Sequence, residues 1–291
     1  KLTYAGKLSN MLKLITKSKE IGADAVKIQT YTPEDITINC NNKDFVINKK
    51  SSWANFGNFW NLYNKAQTPD EWHNKIFKHA RKVGILIFSS PFSESSVDLL
   101  ESLNCPIYKL ASPEITHIPL IEKIAQTKKS IIISTGLSNK EDIHLAIKRF
   151  RNISKANIYL LKCTTEYPAP YEDINLKTMI DMKNKFKTEV GLSDHTLGIE
   201  VPLGAIAMGA SIIEKHICIS KKIKSVDNFF SLDVNEFQHM ISAIRNLEKA
   251  MGKITYEIPK NIKKNLSSRR SIYFSSELEK NSLITKDNIK I

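Results

Sequence analysis

Short apolar segments alternate with amphipathic helical segments along most of this 291-residue chain, and this alternation constrains the fold most strongly. Several of the apolar segments are almost continuously hydrophobic, which is typical of parallel strands covered on both faces. Strands that alternate with helices predict a parallel sheet with helices outside it. The predicted strands are seven segments: 24–28, 85–89, 106–109, 130–134, 157–162, 189–192 and 211–214.

The number of strands favours a closed (β/α)8 TIM barrel over an open, doubly wound sheet. A closed barrel needs eight strands, so we expect that a first strand, which would precede Thr3, is missing from this sequence. An open sheet would predict a glycine-rich phosphate loop after an early strand, and the sequence contains none. Helix signals fit the alternation, since Gly84 predicts a helix end and Ser138 with Glu141 predicts a capping box.

Two regions interrupt the alternation. Residues 31–65 form a long insertion that contains Trp53 and Trp60, and such long loops are more often functional than idle. After residue 252 the pattern ends. We therefore predict a barrel domain over 1–252, a linker over 253–266 and the start of a small β-containing domain over 267–291.

Composition narrows the possible partners. The net charge is +13, but the lysines are scattered, no nucleic-acid-binding motif is present, and no apolar run is long enough to span a membrane. The four cysteines form no closely spaced pair, which predicts reduced thiols in a cytoplasmic protein. The positive charge therefore favours an anionic small molecule as the ligand.

Polar residues recur where the predicted strands end, and in a barrel these ends meet at one mouth. Lysines and hydroxyls together predict a phosphate-binding site, and two histidines on neighbouring strands predict a shared divalent cation. Taken singly, a lysine or serine here is usually a solvated cap, and a histidine is usually structural. The strand-end residues are Lys27, Gln29, Ser89, Ser90, Lys109, Ser112, Ser134, Thr135, Lys162, Thr164, Thr165, Ser193, Asp194, His195, Glu214, Lys215 and His216.

Longer motifs add a family resemblance. The segments DAVKIQTYTPEDITI, FSSPF, YKLAS, LKCTTEYPAPYEDINL, GLSDHTLG and EKH resemble, in order, those of the sialic acid synthase family, and the pseudaminic acid synthases most closely. The resemblance implies a (β/α)8 barrel followed by a small antifreeze-like (SAF) domain, in a domain-swapped homodimer. It also implies condensation of phosphoenolpyruvate with 2,4-diacetamido-2,4,6-trideoxy-β-L-altropyranose and water, which gives pseudaminate and phosphate.

The resemblance assigns roles to matching positions. It implies that Glu214, Lys27 and Lys109 are catalytic, and that His195 and His216 bind a divalent metal, Mn²⁺ before Mg²⁺ or Co²⁺. The substrate-binding residues that it implies are Gln29, Ser90, Ser112, Ser134, Thr165, Tyr167, Ser193 and Asp227.

The sequence also departs from the family pattern. The family's first strand and its Glu are absent, Thr3-Tyr4 replace Asn-His, and the chain stops before an Arg-Pro-Gly stretch. Two alternatives therefore stay open. The sugar product could be N-acetylneuraminate or legionaminate, or the chain could be a truncated, non-catalytic remnant that only binds ligand or an intact subunit.

Overall fold

The computed structural model describes residues 1–4 and 6–291, which divide into two compact units, Lys1–Met251 and Gly252–Ile291. The strands of the first unit are β1 Leu2–Thr3, β2 Ala25–Thr30, β3 Leu86–Pro91, β4 Tyr108–Leu110, β5 Ile131–Ser134, β6 Ile158–Cys163, β7 Glu189–Asp194, β8 Ile213–Lys215 and β9 Ile217–Cys218. The α-helices are α1 Leu8–Glu20, α2 Pro33–Ile36, α3 Phe59–Ala66, α4 Asp70–Val83, α5 Glu94–Ser102, α6 Ile118–Gln126, α7 Lys140–Ile153, α8 Lys177–Phe186, α9 Glu200–Ala207 and α10 Val234–Met251. Short 3-10 helices cover Ala54–Phe56, Ser112–Thr116 and Tyr171–Asp173.

Strands β2 to β8 form one parallel sheet in sequence order, which confirms the predicted architecture. The reason is visible in β5, where Ile131, Ile132 and Ile133 are all buried, as expected for a strand that is covered on both faces. Because each strand leads into an outer helix, all seven strands point the same way and their carboxyl ends share one edge.

The sheet curls so that its first and last strands approach each other. The side chain of Lys27 on β2 donates a hydrogen bond to Glu214 on β8. Among the described residues these strands share no ladder, and the two-residue strand β1 pairs in parallel with β9 instead. Ile217 donates its N–H to the carbonyl of Lys1 at 3.0 Å. The sheet is therefore a half-barrel of seven strands, and β1 was not predicted.

Helix α10 closes the first unit against α9. Met240 and Ile244 are buried, and Phe237 and Ile241 lie beside them, so the apolar face of this helix packs inward. None of the described helices is both long and apolar enough to cross a membrane.

The long insertion folds onto the same edge as the strand ends. It contains α2, the 3-10 helix Ala54–Phe56 and α3. The indole N–H of Trp53 donates to the carbonyl of Val226 at 2.9 Å. This bond ties the insertion to the loop between β9 and α10.

The second unit, Gly252–Ile291, contains the 3-10 helix Lys260–Ser268 and an antiparallel pair of two-residue strands, β10 Tyr273–Phe274 and β11 Ile289–Lys290. The 3-10 helix begins inside the segment that the sequence predicts as a linker. These elements do not amount to an evident antifreeze-like domain, because two-residue strands leave most side chains of the unit exposed.

Candidate active site

Two lysines enclose one carboxylate at the carboxyl edge of the sheet. Lys27 Nζ donates to Glu214, and Lys109 Nζ lies 3.9 Å from Glu214 Oε2, with side chains only 7, 2 and 11% exposed for Lys27, Lys109 and Glu214. Lys109 Nζ also donates to Ser134 Oγ at 2.5 Å. Strands β2, β4, β5 and β8 thus bring four predicted site residues together.

The cluster keeps Glu214 ionised. Burial by itself raises the pKa of the Glu214 carboxyl, but the charges of Lys109 and Lys27 outweigh burial and hold that pKa well below its usual range. Burial lowers the pKa of Lys27 to about 8, although the Glu214 carboxylate raises it. The cluster therefore carries a surplus positive charge at neutral pH, which suits a dianionic ligand.

Hydroxyl groups line the same edge. Ser90 Oγ is fully buried and has no hydrogen-bond partner among the described residues, whereas Ser193 Oγ donates to Glu214 Oε1 at 3.4 Å. Ser112 Oγ accepts from the Gly136 N–H at 3.0 Å. A Cβ at Gly136 would lie 2.2 Å from Thr165 Oγ1, so glycine keeps this space open. Ser90 lies on β3, between the strands that carry Lys27 and Lys109, and its unpaired buried hydroxyl could donate to an anionic ligand.

The two predicted histidines lie next to each other. His195 follows β7, His216 lies between β8 and β9, and their ring centroids are 5.4 Å apart. His195 Nδ1 bonds to the carbonyl of Thr164 at 2.9 Å, which makes Nδ1 the protonated nitrogen and leaves the lone pair on Nε2. Burial lowers the pKa of His216 well below its usual range although Asp227 raises it, so this imidazole is neutral.

This donor set fits a divalent cation only if other ligands come from water or substrate. Two imidazoles that lie side by side after adjacent strands are suitable nitrogen ligands. His216 Nδ1 is buried, has no hydrogen bond among the described residues and lies 3.5 Å from Asp227 Oδ2. Within the described ranges, no three His, Cys, Asp or Glu side chains gather closely enough to hold a metal on their own.

The remaining predicted residues border this centre. Gln29 is half-buried on β2, opposite Ser90 in the register with β3. The Tyr167 ring lies 4.3 Å from the His195 ring, centroid to centroid. Asp227 accepts a hydrogen bond from Lys1 Nζ at 2.6 Å; burial raises the pKa of its carboxyl, but Lys1 and His216 together lower that pKa below its usual range. All the predicted site residues therefore lie at one edge of the sheet.

The sequence reasoning missed an ion pair between the two histidine-bearing segments. Lys215 Nζ contacts Asp194 and donates to the Thr196 carbonyl at 2.6 Å, and the side chains of Lys215 and Asp194 are 1 and 0% exposed. A strand alternates its side chains between two faces. The sequence did contain a signal for this ion pair, because Asp194 and Lys215 each lie directly between two residues that are predicted to belong to the site.

We expect Lys215→Met to destabilise the protein by about 3–5 kcal/mol, because it leaves the Asp194 carboxylate buried without its partner. Urea unfolding followed by circular dichroism measures this. The matched control is Lys185→Met, which removes an exposed ion pair with Asp181 on α8 and should change stability by less than about 1 kcal/mol. Equal effects of the two substitutions would refute the structural role of the buried pair.

Two further titratable groups were also missed. Burial raises the pKa of Glu114, which follows β4, to about 7, although its own backbone N–H and Lys109 lower it. Burial also raises the pKa of the Cys163 thiol, but hydrogen bonding and charge from His195, with smaller contributions from Ser112 and Lys109, lower it to about 7 overall. Neither residue has a sequence signal, since each depends on neighbours that only the fold assembles.

The fold and the site define a barrel-type protein that presents a buried lysine–carboxylate cluster and an imidazole pair at the carboxyl edge of its sheet. Residues 14–256 match the model of the NeuB family. The chain is 41% identical to the pseudaminic acid synthase of Campylobacter jejuni subsp. jejuni serotype O:2 over 99% of this chain and 83% of that protein. It is 43% identical to the pseudaminic acid synthase of Helicobacter pylori over 94% of this chain and 80% of that protein.

The comparison with a solved structure points to the same kind of synthase as these relatives. The crystal structure of the N-acetylneuraminic acid synthetase from Leptospira borgpetersenii, in complex with citrate, superposes with a TM-score of 0.79 at 27% identity and covers 92% of this chain and 88% of that chain. This chain belongs to the NeuB family.

Proposed function

We propose that this protein is a synthase that condenses phosphoenolpyruvate with 2,4-diacetamido-2,4,6-trideoxy-β-L-altropyranose and water, giving pseudaminate and inorganic phosphate. The observation that carries the proposal is the buried cluster of Lys27, Lys109 and Glu214 beside the unpartnered Ser90 hydroxyl. The names of the pseudaminic acid synthases at 40–43% identity support the choice of sugar.

Phosphoenolpyruvate carries a phosphate and a carboxylate, and the cluster has matching groups for both. Lys27 and Lys109 supply two cationic donors, while hydroxyls come from Ser90 on β3, Ser134 on β5 and Ser112 in the 3-10 helix after β4. Charge-assisted hydrogen bonds of this kind are stronger than neutral ones. The lysines also stabilise the phosphate as the bond from its bridging oxygen to C2 breaks.

The proton balance assigns a role to Glu214. C3 of phosphoenolpyruvate attacks the aldehyde carbon of the open-chain sugar with the electrons of its C2–C3 double bond, a C–C bond forms, and water adds its oxygen at C2. When the bond from C2 to the phosphate oxygen then breaks, the oxygen from water becomes the ketone oxygen and its second proton leaves with the phosphate. Because Glu214 is ionised, it accepts the proton that this water loses, and that proton then goes to the former aldehyde oxygen. The resemblance implies an acid/base residue here, and the charge state favours action first as a base.

His195 and His216 would hold the divalent metal, with Mn²⁺ the first choice. When bound, such a cation would act as a Lewis acid that polarises the sugar's aldehyde carbonyl. The His195–Thr164 hydrogen bond keeps the Nε2 lone pair of His195 available for this purpose.

The proposal includes a homodimer in which the second unit contacts a partner subunit. In that unit, Ile254, Tyr256 and Leu283 are 96, 99 and 81% exposed. Such large exposed apolar side chains in one small unit support burial against another chain.

The proposed reaction is tested by following phosphate release and product mass with Mn²⁺, phosphoenolpyruvate and one sugar at a time. We expect fastest turnover with the diacetamido-trideoxy altrose, and no phosphate without a sugar. Faster turnover of N-acetylmannosamine, or of the legionaminate precursor, would transfer the assignment to the corresponding synthase. Absence of turnover with every sugar would favour the non-catalytic remnant.

The apparent KM for phosphoenolpyruvate should rise as the pH passes about 8, because Lys27, with its pKa lowered to about 8, then loses the positive charge that binds the ligand. Steady-state kinetics between pH 7 and 9 measure this. The matched variant is Lys27→Arg, which keeps its charge over this range and should flatten the rise in KM. An identical pH profile in both proteins would remove Lys27 from phosphoenolpyruvate binding.

A further inference from the structure

Four aromatic rings from three separate segments form a continuous surface beside the imidazole pair. We call Trp53, Tyr167, Phe229 and Phe230 the aromatic wall. Trp53 comes from the insertion, Tyr167 from the loop after β6, and Phe229 and Phe230 from the loop before α10. Three segments that are distant in sequence thus contribute rings to one place.

The wall extends outward from the candidate metal ligands. Phe230 is buried, and its ring lies 4.7 Å from His216 and 5.0 Å from Tyr167, centroid to centroid. Trp53 lies 5.4 Å from Tyr167 and 5.8 Å from Phe229 by the same measure. Phe229 is 41% exposed, so the wall runs from the buried imidazoles to solvent.

The wall is separate from the two main hydrophobic clusters, although Phe230 is itself buried. Within the described part of the chain, none of its four rings belongs to either core cluster or packs against one. Its position is nevertheless fixed, because the Trp53 indole N–H donates to Val226, the residue before Asp227. A partly exposed aromatic surface that is held in place beside a polar centre is a typical ligand-binding feature.

Ring faces favour apolar groups over hydroxyls, since a hydroxyl placed against a ring loses hydrogen bonds to water. The sugar in the proposed reaction has two kinds of methyl-bearing substituent, the acetamido groups and the C6 methyl. N-acetylmannosamine has a hydroxyl at C4, where the proposed sugar has an acetamido group. It also has a hydroxyl on C6, which in the proposed sugar is a methyl group. The aromatic wall therefore distinguishes the two sugars in two ways: it contacts the methyl-bearing groups of one and disfavours the hydroxyls of the other.

We propose that Trp53 and Phe229 extend the sugar site into a specificity subsite for a methyl-bearing substituent at C4 or C6 of the acceptor sugar, and that Trp53 is its discriminating residue. This inference rests on the proposed function and deepens it. Tyr167 and Phe230 connect the subsite to His195 and His216, so a sugar whose aldehyde lies near the imidazoles reaches Trp53 with its far end.

The test compares three acceptors in Trp53→Ala, Phe229→Ala and the matched control Trp60→Ala. Trp60 is a half-buried tryptophan of the same insertion that lies outside the wall. The acceptors are the diacetamido-trideoxy sugar, a 2-acetamido-2,6-dideoxy sugar that lacks the C4 acetamido group, and N-acetylmannosamine. One methyl-sized group in an apolar site changes kcat/KM by roughly 10- to 200-fold.

We expect both wall variants to lower kcat/KM for the diacetamido sugar by about 10- to 100-fold. The kcat/KM for N-acetylmannosamine and the KM for phosphoenolpyruvate should stay nearly unchanged. A parallel fall for the dideoxy sugar assigns the subsite to the C6 methyl, and no fall assigns it to the C4 acetamido group. Equal losses for all three acceptors in Phe229→Ala, or no loss in either variant, would overturn the inference.

A binding measurement separates this inference from the proposed function. The alditol of the diacetamido sugar has no aldehyde and cannot react, so its binding is independent of turnover. We expect it to change the tryptophan fluorescence of the wild type and of Trp60→Phe, but not of Trp53→Phe. If no sugar supports phosphate release, the proposed function fails while this titration still decides the subsite; a signal that persists in Trp53→Phe refutes the subsite.

Discussion

Replacing Glu214 with Gln should lower kcat by about 10²- to 10⁴-fold, the range expected when one general acid–base group is lost. The carboxylate lies between Lys27 and Lys109, and their charges keep its pKa low, so Glu214 is ionised and has no proton of its own when the reaction begins. The amide has nearly the same size but accepts no proton. Phosphate release under saturating substrates measures the effect.

The same substitution should not raise the KM for phosphoenolpyruvate. Removing the negative charge leaves both lysines free for the anionic ligand, so binding is expected to be unchanged or tighter. The matched control is Glu189→Gln, an exposed carboxylate at the opposite end of β7 that pairs with Lys183. A Glu214→Gln enzyme with wild-type kcat, or with a raised KM and normal kcat, would contradict the assigned role.

His216→Ala should reduce metal-dependent turnover by more than about 100-fold, because even the residues that support metal ligands cost 10- to 100-fold when lost. His216 is one of only two imidazoles at the centre, and among the described residues no acidic or thiol cluster replaces it. Mn²⁺ titration followed by electron paramagnetic resonance measures binding directly. The unfolding midpoint should change little.

The control for this prediction is His144→Ala, which removes an exposed imidazole on α7. It should leave both Mn²⁺ binding and turnover at wild-type values. If His216→Ala still bound Mn²⁺ tightly, His216 would not be a ligand of the metal, and the predicted metal site would be wrong.

The sequence predicted the sheet well because its signal is local. The segment 157–162 became β6 Ile158–Cys163, and 189–192 became β7 Glu189–Asp194, since continuous apolar runs identify buried strands. Gly84 ends α4 with φ of 72°, as predicted. The capping box lies one residue later than predicted, on Asn139 and Asp142. These side chains can cap a helix as well as the predicted Ser138 and Glu141 can.

Other features depend on contacts that a linear pattern does not contain. Strands β1 and β9 have two residues each, too few to show a period. The Lys27–Glu214 pair joins residues 187 positions apart, and only the curl of the sheet brings them together. The insertion around Trp53 was predicted to be functional from its length, but its packing against Tyr167 and Phe229 required the fold.

A crystal structure with phosphoenolpyruvate and Mn²⁺ tests the central claim most directly, with the Mn²⁺ located by its anomalous scattering. We predict that the ion lies within bonding distance of Nε2 of His195 and of a ring nitrogen of His216. The phosphoenolpyruvate should occupy the space between Lys27, Lys109 and Ser90. An ion bound away from both imidazoles, or phosphoenolpyruvate bound outside the lysine cluster, would contradict the account.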